Sequence, residues 1–166
     1  PFHFDKIISC KPSDFICKQT EEVIESGNDL ADADFIIAAG RGVKNKDSIL
    51  LLQEVAALFG GKLGISRPLA MQAMAPMQNL LGVSGTIVQP EICITAGVSG
   101  AAAFYAGIEK SKLIIAINTD EHAPIFKKAD ICIHADFMTV IQTIDRLAKK
   151  EKMQHETTNL SNGGTI

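Results

Sequence analysis

Four runs in this chain are apolar at nearly every position and rich in Ile: ADFIIAAG (33–40), EICITAG (91–97), KLIIAIN (112–118) and ADICIHAD (129–136). A strand with one wet face alternates apolar and polar residues. A run without that alternation has both faces covered, as in a parallel sheet between two layers of helices. GGKLGIS (60–66) reads as a fifth, shorter strand, and GTIVQP (85–90) as an edge piece. Helical spacing separates these runs. Ile49, Leu52, Val55, Ala56 and Phe59 share one face of 46–60, with Asp47 or Ser48 to cap its start and Gly60 its end. Residues 99–110 read as a second helix and 137–150 as a third, with Val140, Ile144 and Leu147 on one face. Strand and helix in alternation predict a doubly wound α/β domain over 31–150, Rossmann-like, with a mainly parallel sheet and helices on both faces.

The ends carry weaker patterns. Within 1–30, KIISC reads as a strand and DFICKQTEEVIES as a short helix, an extension or the remnant of another domain. Residues 151–166 have no core pattern and read as a flexible tail. The chain opens without Met, so it is expected to be a fragment or a processed product; PFHFDKIISC lacks the apolar stretch of a signal peptide.

Charge and cysteine usage exclude several classes. A net charge of −3 gives no general attraction to nucleic acid or an anionic membrane, and no apolar run is long enough to insert in one. The four cysteines show no CxxC spacing. Cys93 and Cys132 lie in apolar runs and read as small core residues, in a reducing compartment. His122 reads as solvated and His134 as a satisfied strand histidine; His and Cys never cluster at metal spacing. No Ser–His–Asp or Cys–His arrangement follows from order and spacing. Met71, Met74 and Met77 stand three apart, which reads as adaptable packing or as a soft surface for a partner.

In a doubly wound domain, ligands sit at the carboxyl ends of the strands. Every such end here carries a polar or glycine-rich group: GRGVKNK after 40, SRPLAMQ after 65, VSGAAAF after 97, NTDEHAP after 117 and Asp136 after the last strand. GRG at 40–42 is half of a dinucleotide fingerprint and reads equally as a tight turn; the third glycine and the acidic residue some twenty positions on are missing. Arg41 adds a fork of donors suited to phosphate. In GVSG (97–100), Ser99 reads as an N-cap, with the N–H groups of Gly100 and Ala101 free for an anion. Close packing of helix on sheet is the other reading of those small residues.

AAGRG, GISR, LGVSGTIVQPEICITAGVSGA, AGIEKSKLIIAIN and APIFKKADICIHADF follow one another in an order and spacing that identify a family. Residues about 30–147 resemble the carboxyl-terminal, FAD-binding domain of the alpha subunit of electron-transfer flavoprotein. The resemblance implies FAD at the carboxyl edge of the sheet. It places Arg41 on the phosphate–ribose side, and Ser66 and Arg67 by the dinucleotide and the flavin, the guanidinium over the ring. The loop of Leu81, Gly82, Val83 and Ser84 passes the flavin, with Ser84 near N5. Ser99, Gly100, Ala101 and Ala102 take the pyrophosphate or ribitol, and Ala103 and Phe104 follow on the flavin side. Asn118, Asp136 and the adjoining Phe137 hold the adenosine half. It also implies a beta-type subunit as partner, with an acyl-CoA-type dehydrogenase or another donor, and a cytoplasmic location in a bacterium or the mitochondrial matrix in a eukaryote. The family's amino-terminal domain is missing from this stretch.

The chain departs from the family beside the flavin. Val83-Ser84-Gly85 stands where Gln-Thr-Gly is common, Ala103-Phe104 where Gln-His is common, and Asn118-Thr119-Asp120 where Asn-Lys-Asp is common. The family's His donates a hydrogen bond to the ring, and Phe cannot. Three readings follow: an FAD electron carrier, not an enzyme, with no catalytic acid or nucleophile; an NAD-dependent enzyme of a related fold; or a nucleotide-binding module holding AMP or FAD with weakened flavin chemistry.

Overall fold

A computed structural model describes residues 30–162, with side chains through Glu151. The strand and helix expected within 1–30 lie outside the described residues. Phe35–Ala39 forms β1, and Lys46–Leu58 forms α1. Asn45, one position before Lys46, caps α1 by accepting from the Ser48 amide at 2.8 Å, so neither Asp47 nor Ser48 is the cap. Gly60 follows the helix at φ +69, the left-handed stop its glycine predicts. β2 is Lys62–Ile65, and Pro68 helps start the short α2, Arg67–Met71. β3 is Ile92–Ala96, α3 is Ala102–Tyr105, β4 is Leu113–Asn118, β5 is Ile131–His134 and α4 is Phe137–Asn162. Short 3-10 turns stand at Met77–Asn79 and Pro124–Lys127.

The five strands are all parallel, in the order β2-β1-β3-β4-β5. β1 sits between β2 and β3, with Ala39 opposite both Ile65 and Ala96. Alternate residues feed two cores. Ile37, Ala39, Ile94, Ala96 and Ile117 face α1 and α4, meeting Leu52, Val55 and Ile141. Ile36, Ala38, Cys93 and Ile114 face the other way, toward Leu81, Phe104 and Ile108. Each fully buried Ile contributes roughly 1.5–3 kcal/mol, which explains why these runs carry no polar alternation.

Four expectations change. The 85–90 segment is not an edge strand; besides a lone bridge of Thr86 to Leu81, its Val88 amide donates to Gly107 O at 2.8 Å and Pro90 O accepts from the Lys112 amide at 3.0 Å. The helix expected over 99–110 shrinks to Ala102–Tyr105, because Gly100 takes φ +88 and Ala101 an extended conformation, and the chain continues beyond Tyr105 in separate turns. α4 runs past Lys150 to Asn162. β5 is an exposed edge rather than a doubly covered strand: Ile131, Cys132 and His134 face outward, so Cys132 is not a core residue. His134 meets the Thr119 carbonyl at 2.9 Å.

Candidate functional site

The strand order reverses direction between β1 and β3, and in such sheets the crevice outside that switch point takes ligands. Here the two loops leaving β1 and β3 are zipped together. The Gly40 amide donates to Ala96 O at 2.8 Å, and the Gly42 amide to Gly97 O at 2.9 Å. The approach demands glycine: a Cβ on Gly40 would lie 2.4 Å from Gly97 O, and Gly97 itself holds φ +61. GRG and GVSG are therefore tight turns packed on each other.

A cavity opens on either side of this zip. The first, about 300 Å³, is bordered by Gly40 and Val98 and brings together most of the expected residues. Arg41, Ser66, Arg67, Ser84 and Ser99 supply its polar lining. Leu81, Val83, Ala103 and Phe104 supply apolar wall, and Ala101 lies beside them. The second, about 330 Å³, holds Asn118, Asp136 and Phe137, beside Lys44, Asn45 and Thr119. Each volume lies at the low end of the roughly 300–1,000 Å³ of small-molecule sites. Gly82, Gly100 and Ala102 border neither cavity.

Local structure explains each placement. Ser66 follows β2 directly, and its amide donates to Ala39 O at 2.9 Å. Its side-chain Oγ is buried without any hydrogen-bond partner among the described residues, and the residue as a whole, at 7% exposure, borders the first cavity. An orphaned hydroxyl costs roughly 1–3 kcal/mol. The loop 80–86 folds on itself, with Thr86 N donating to Leu80 O and Gly85 N to Gly82 O. Gly82 has φ +113, and a Cβ there would lie 2.5 Å from Ala103 O.

Ser99 is not an N-cap. The residue before α3 is Ala101, and no side chain caps it. What remains is a row of backbone donors: the N–H groups of Ser99 through Ala103 have no acceptor among the described residues. Gly100 is there for packing, since a Cβ would lie 2.4 Å from the Ile125 amide nitrogen. Asn118 is committed internally. Its Nδ2 donates to Val98 O at 2.8 Å and its Oδ1 accepts from the Asp120 amide at 3.0 Å. Asp136 accepts from the Met138 amide at 3.1 Å through one oxygen, at the start of α4. Phe104 is buried at 7% exposure and packs with Leu81 and Val98 while bordering the first cavity.

Residues 29–109 match the family model described as the electron transfer flavoprotein FAD-binding domain. The chain belongs to the electron transfer flavoprotein alpha family. It is 37% identical over 121 residues to the protein FixB of Rhizobium meliloti, covering 73% of this chain and 34% of that one. It is 38% identical over 122 residues to the electron transfer flavoprotein subunit alpha of Paracoccus denitrificans, covering 73% and 40%. With the Bacillus subtilis subunit alpha the identity is 40% over 124 residues, covering 73% and 38%. The chain spans between 31% and 40% of the length of the curated relatives it matches. The glycine zip lies within the matched residues. Lys44, Asn45 and Pro68 also border the cavities and were missed as site residues. Their only signal was position, directly after strand ends already marked.

No helix among the described residues is long and apolar enough to cross a membrane, and no group of His, Cys, Asp and Glu among them could hold a metal ion.

Proposed function

We propose that residues 31–150 bind FAD across the two cavities and that the chain is the flavin-holding part of an electron carrier. One observation carries this reading: the unpartnered N–H row of 99–103 beside a cavity that Arg41, Ser66, Arg67 and Ser99 border. Buried polar groups are ordinarily satisfied, so this concentration of unmet donors at a strand-switch crevice fits a polyanionic ligand with polar linkers. FAD, when bound, supplies the redox chemistry, its ring accepting and releasing electrons.

The protein's part is to bind and orient. Arg41 and the N–H row neutralise the pyrophosphate, and Ser66 takes a polar atom of the linker. Arg67 and the loop Leu81–Ser84 would hold the ring. Phe104, Ala103 and Val83 would give the bound ring an apolar wall. Asp136 and Phe137 would hold the adenosine half, with Asn118 holding the Val98 turn in place. Ala102 positions the N–H row. No side chain acts as acid, base or nucleophile in this reading.

The partners proposed are a beta-type subunit, an acyl-CoA-type or other dehydrogenase as donor, and a further redox protein as acceptor. The setting is the cytoplasm of a bacterium or the matrix of a mitochondrion. An NAD-dependent enzyme is less well supported, because β2 ends in Ser66-Arg67 rather than in a carboxylate for the ribose hydroxyls. The apolar wall favours a second reading, a nucleotide-binding module with weak flavin chemistry. Anaerobic mixing of the FAD-loaded chain and its beta-type subunit with acyl-CoA dehydrogenase and acyl-CoA separates the two. Bleaching of the carrier's flavin supports the electron carrier; a flavin that stays oxidised contradicts it.

A further inference from the structure

The two edges of the sheet differ. At β2 the outward carbonyls are taken: Leu63 O accepts from the Asn79 side-chain amide at 2.8 Å, and Ile65 O from the Leu81 amide at 2.9 Å. At β5 no described residue pairs with the outer side. The Leu113 amide donates to Glu91 O, toward β3, and the Ala135 amide to Asn118 O. With Ile131 opposite Ile115 and Ile133 opposite Ile117, the ladder to β4 therefore uses the amides and carbonyls of Ile131 and Ile133. Those of Cys132 and His134 point off the sheet. An open edge is a template for another strand, and edges are commonly blunted by Lys, Pro, a bulge or a cover. Ile131–His134 contains neither Lys nor Pro, and Ile131, Cys132 and His134 are exposed.

The residues along this edge are complementary to themselves. Lys128, Asp130, Cys132, His134 and Asp136 stand two apart. Laid antiparallel on a second copy with Cys132 at the centre, Asp130 falls opposite His134 and Lys128 opposite Asp136. Each acidic residue thus meets a basic one. Opposite charges across a strand pair stabilise it, and like charges destabilise it. The neighbouring registers lack this match: an axis at Ile133 sets Asp130 against Asp136, and one at Ile131 sets His134 against Lys128. The atoms needed are available. Asp130 accepts from the Ile114 amide through Oδ2 at 2.8 Å, which leaves Oδ1, and His134 meets Thr119 O through Nε2 at 2.9 Å, which leaves Nδ1.

We infer that β5 pairs antiparallel with β5 of a second copy of this chain about a two-fold axis at Cys132, which joins the two five-stranded sheets into one. Cys132 of each copy exchanges two backbone hydrogen bonds with Cys132 of the other, and each His134 amide donates to Asp130 O across the axis. The Asp130 amide takes no part, being spent on Ile114 O at 2.9 Å. A two-fold interface needs a patch that matches itself. The alternating charges of 128–136 supply one, and they select a second copy over an unrelated strand. Residues directly opposite in such a pair have Cα atoms about 5.5 Å apart, which brings the two Cys132 thiols within reach of one short linker. None of Ile131–His134 borders either cavity, so the inference stands apart from the cofactor reading.

Sedimentation equilibrium of the full chain, 17.8 kDa as a monomer, reads the association. His134→Asp sets two carboxylates face to face at each end of the pair, whereas His134→Lys keeps a cation opposite Asp130 of the other copy. Both lose the Thr119 contact alike, so a difference between them reports charge across the axis rather than folding. The wild type should pass from monomer to a species of twice the mass as its concentration rises. Its dissociation constant should rise at least tenfold in His134→Asp and less than threefold in His134→Lys. A short bis-alkylating thiol reagent should link two wild-type chains, and Cys132→Ser should abolish the link. A wild-type chain that stays monomeric overturns the inference, whatever else covers the edge. So does a dimer that His134→Asp leaves as tight as wild type, or one that His134→Lys weakens as much as His134→Asp. A dimer that the reagent fails to link, or a link that survives Cys132→Ser, places the contact elsewhere and overturns it too.

Discussion

The Val83 amide donates to the Ala103 carbonyl at 2.9 Å, tying the loop after β2 to the short α3. The two apolar walls of the first cavity are thereby one unit. Gly82, next to the tie, holds φ +113 with Ala103 O where a Cβ would go. Gly82→Ala should destabilise the chain by about 1–3 kcal/mol. Urea unfolding checks this; a midpoint within error of wild type would mean that the loop relaxes freely.

Ser66 makes a prediction with opposite signs in two assays. Ser66→Ala removes a buried hydroxyl that has no partner in the ligand-free chain. The FAD-free variant should be as stable as wild type or more stable, by up to about 1–2 kcal/mol. Its affinity for FAD should fall roughly tenfold, the loss of one good hydrogen bond. Equal FAD affinity would remove Ser66 from the site.

Phe104 bears on the flavin's energetics. Its own amide donates to Ala101 O and that of Val83 to Ala103 O, so this wall offers neither a side-chain donor nor those backbone donors to a ring. A hydrogen bond to a charged group is worth roughly 1.5–3 kcal/mol, and 1.4 kcal/mol corresponds to about 59 mV for one electron. Phe104→His should raise the first reduction potential of the FAD-loaded chain by about 60–130 mV, whereas Phe104→Leu should not. Potentiometry decides; equal potentials in all three would make Phe104 a packing residue only.

Cys93 gives a pH dependence. Burial pushes its thiol up to about 12 from an ordinary 9.0, partly offset by a hydrogen bond with Ser111. The folded state thus prefers the neutral thiol. The stability this gives is fully present below pH 9 and is lost as pH rises toward 12, with a slope of up to about 1.4 kcal/mol per unit. The stability difference between wild type and Cys93→Ala should therefore shrink across pH 9–12. A difference that stays constant would show that Cys93 ionises in the folded chain as readily as in the unfolded one.

The sheet was legible because its signal is redundant. Each of Phe35–Ala39, Ile92–Ala96 and Leu113–Asn118 needs apolar residues on both faces, and the sequence supplies them. β5 misled because its Ile-Cys-Ile composition is equally apolar, although the strand stands at the sheet edge with Ile131 and Cys132 outward. Composition reports what can be buried, not whether a neighbour arrives to bury it. The helix over 99–110 was overread because small residues suit helices, while Gly100 is left-handed in order to clear Ile125. The continuation of α4 was missed because its tail has few apolar residues. The glycine turns and strand-end serines of the site were legible as types; the pairing of Gly40 with Gly97, the commitment of Asn118 to Val98 and the orphaned state of Ser66 depend on tertiary approach.

The central claim is that one dinucleotide spans both cavities, held by its phosphates and adenosine as well as by its ring. Calorimetric titration of the cofactor-free chain with FAD, FMN and NAD tests it most directly. The account predicts FAD binding at least tenfold tighter than either of the others, at about one per chain. FMN binding as tightly as FAD would contradict it, because the second cavity would then contribute nothing, and NAD binding tighter than FAD would contradict the choice of cofactor.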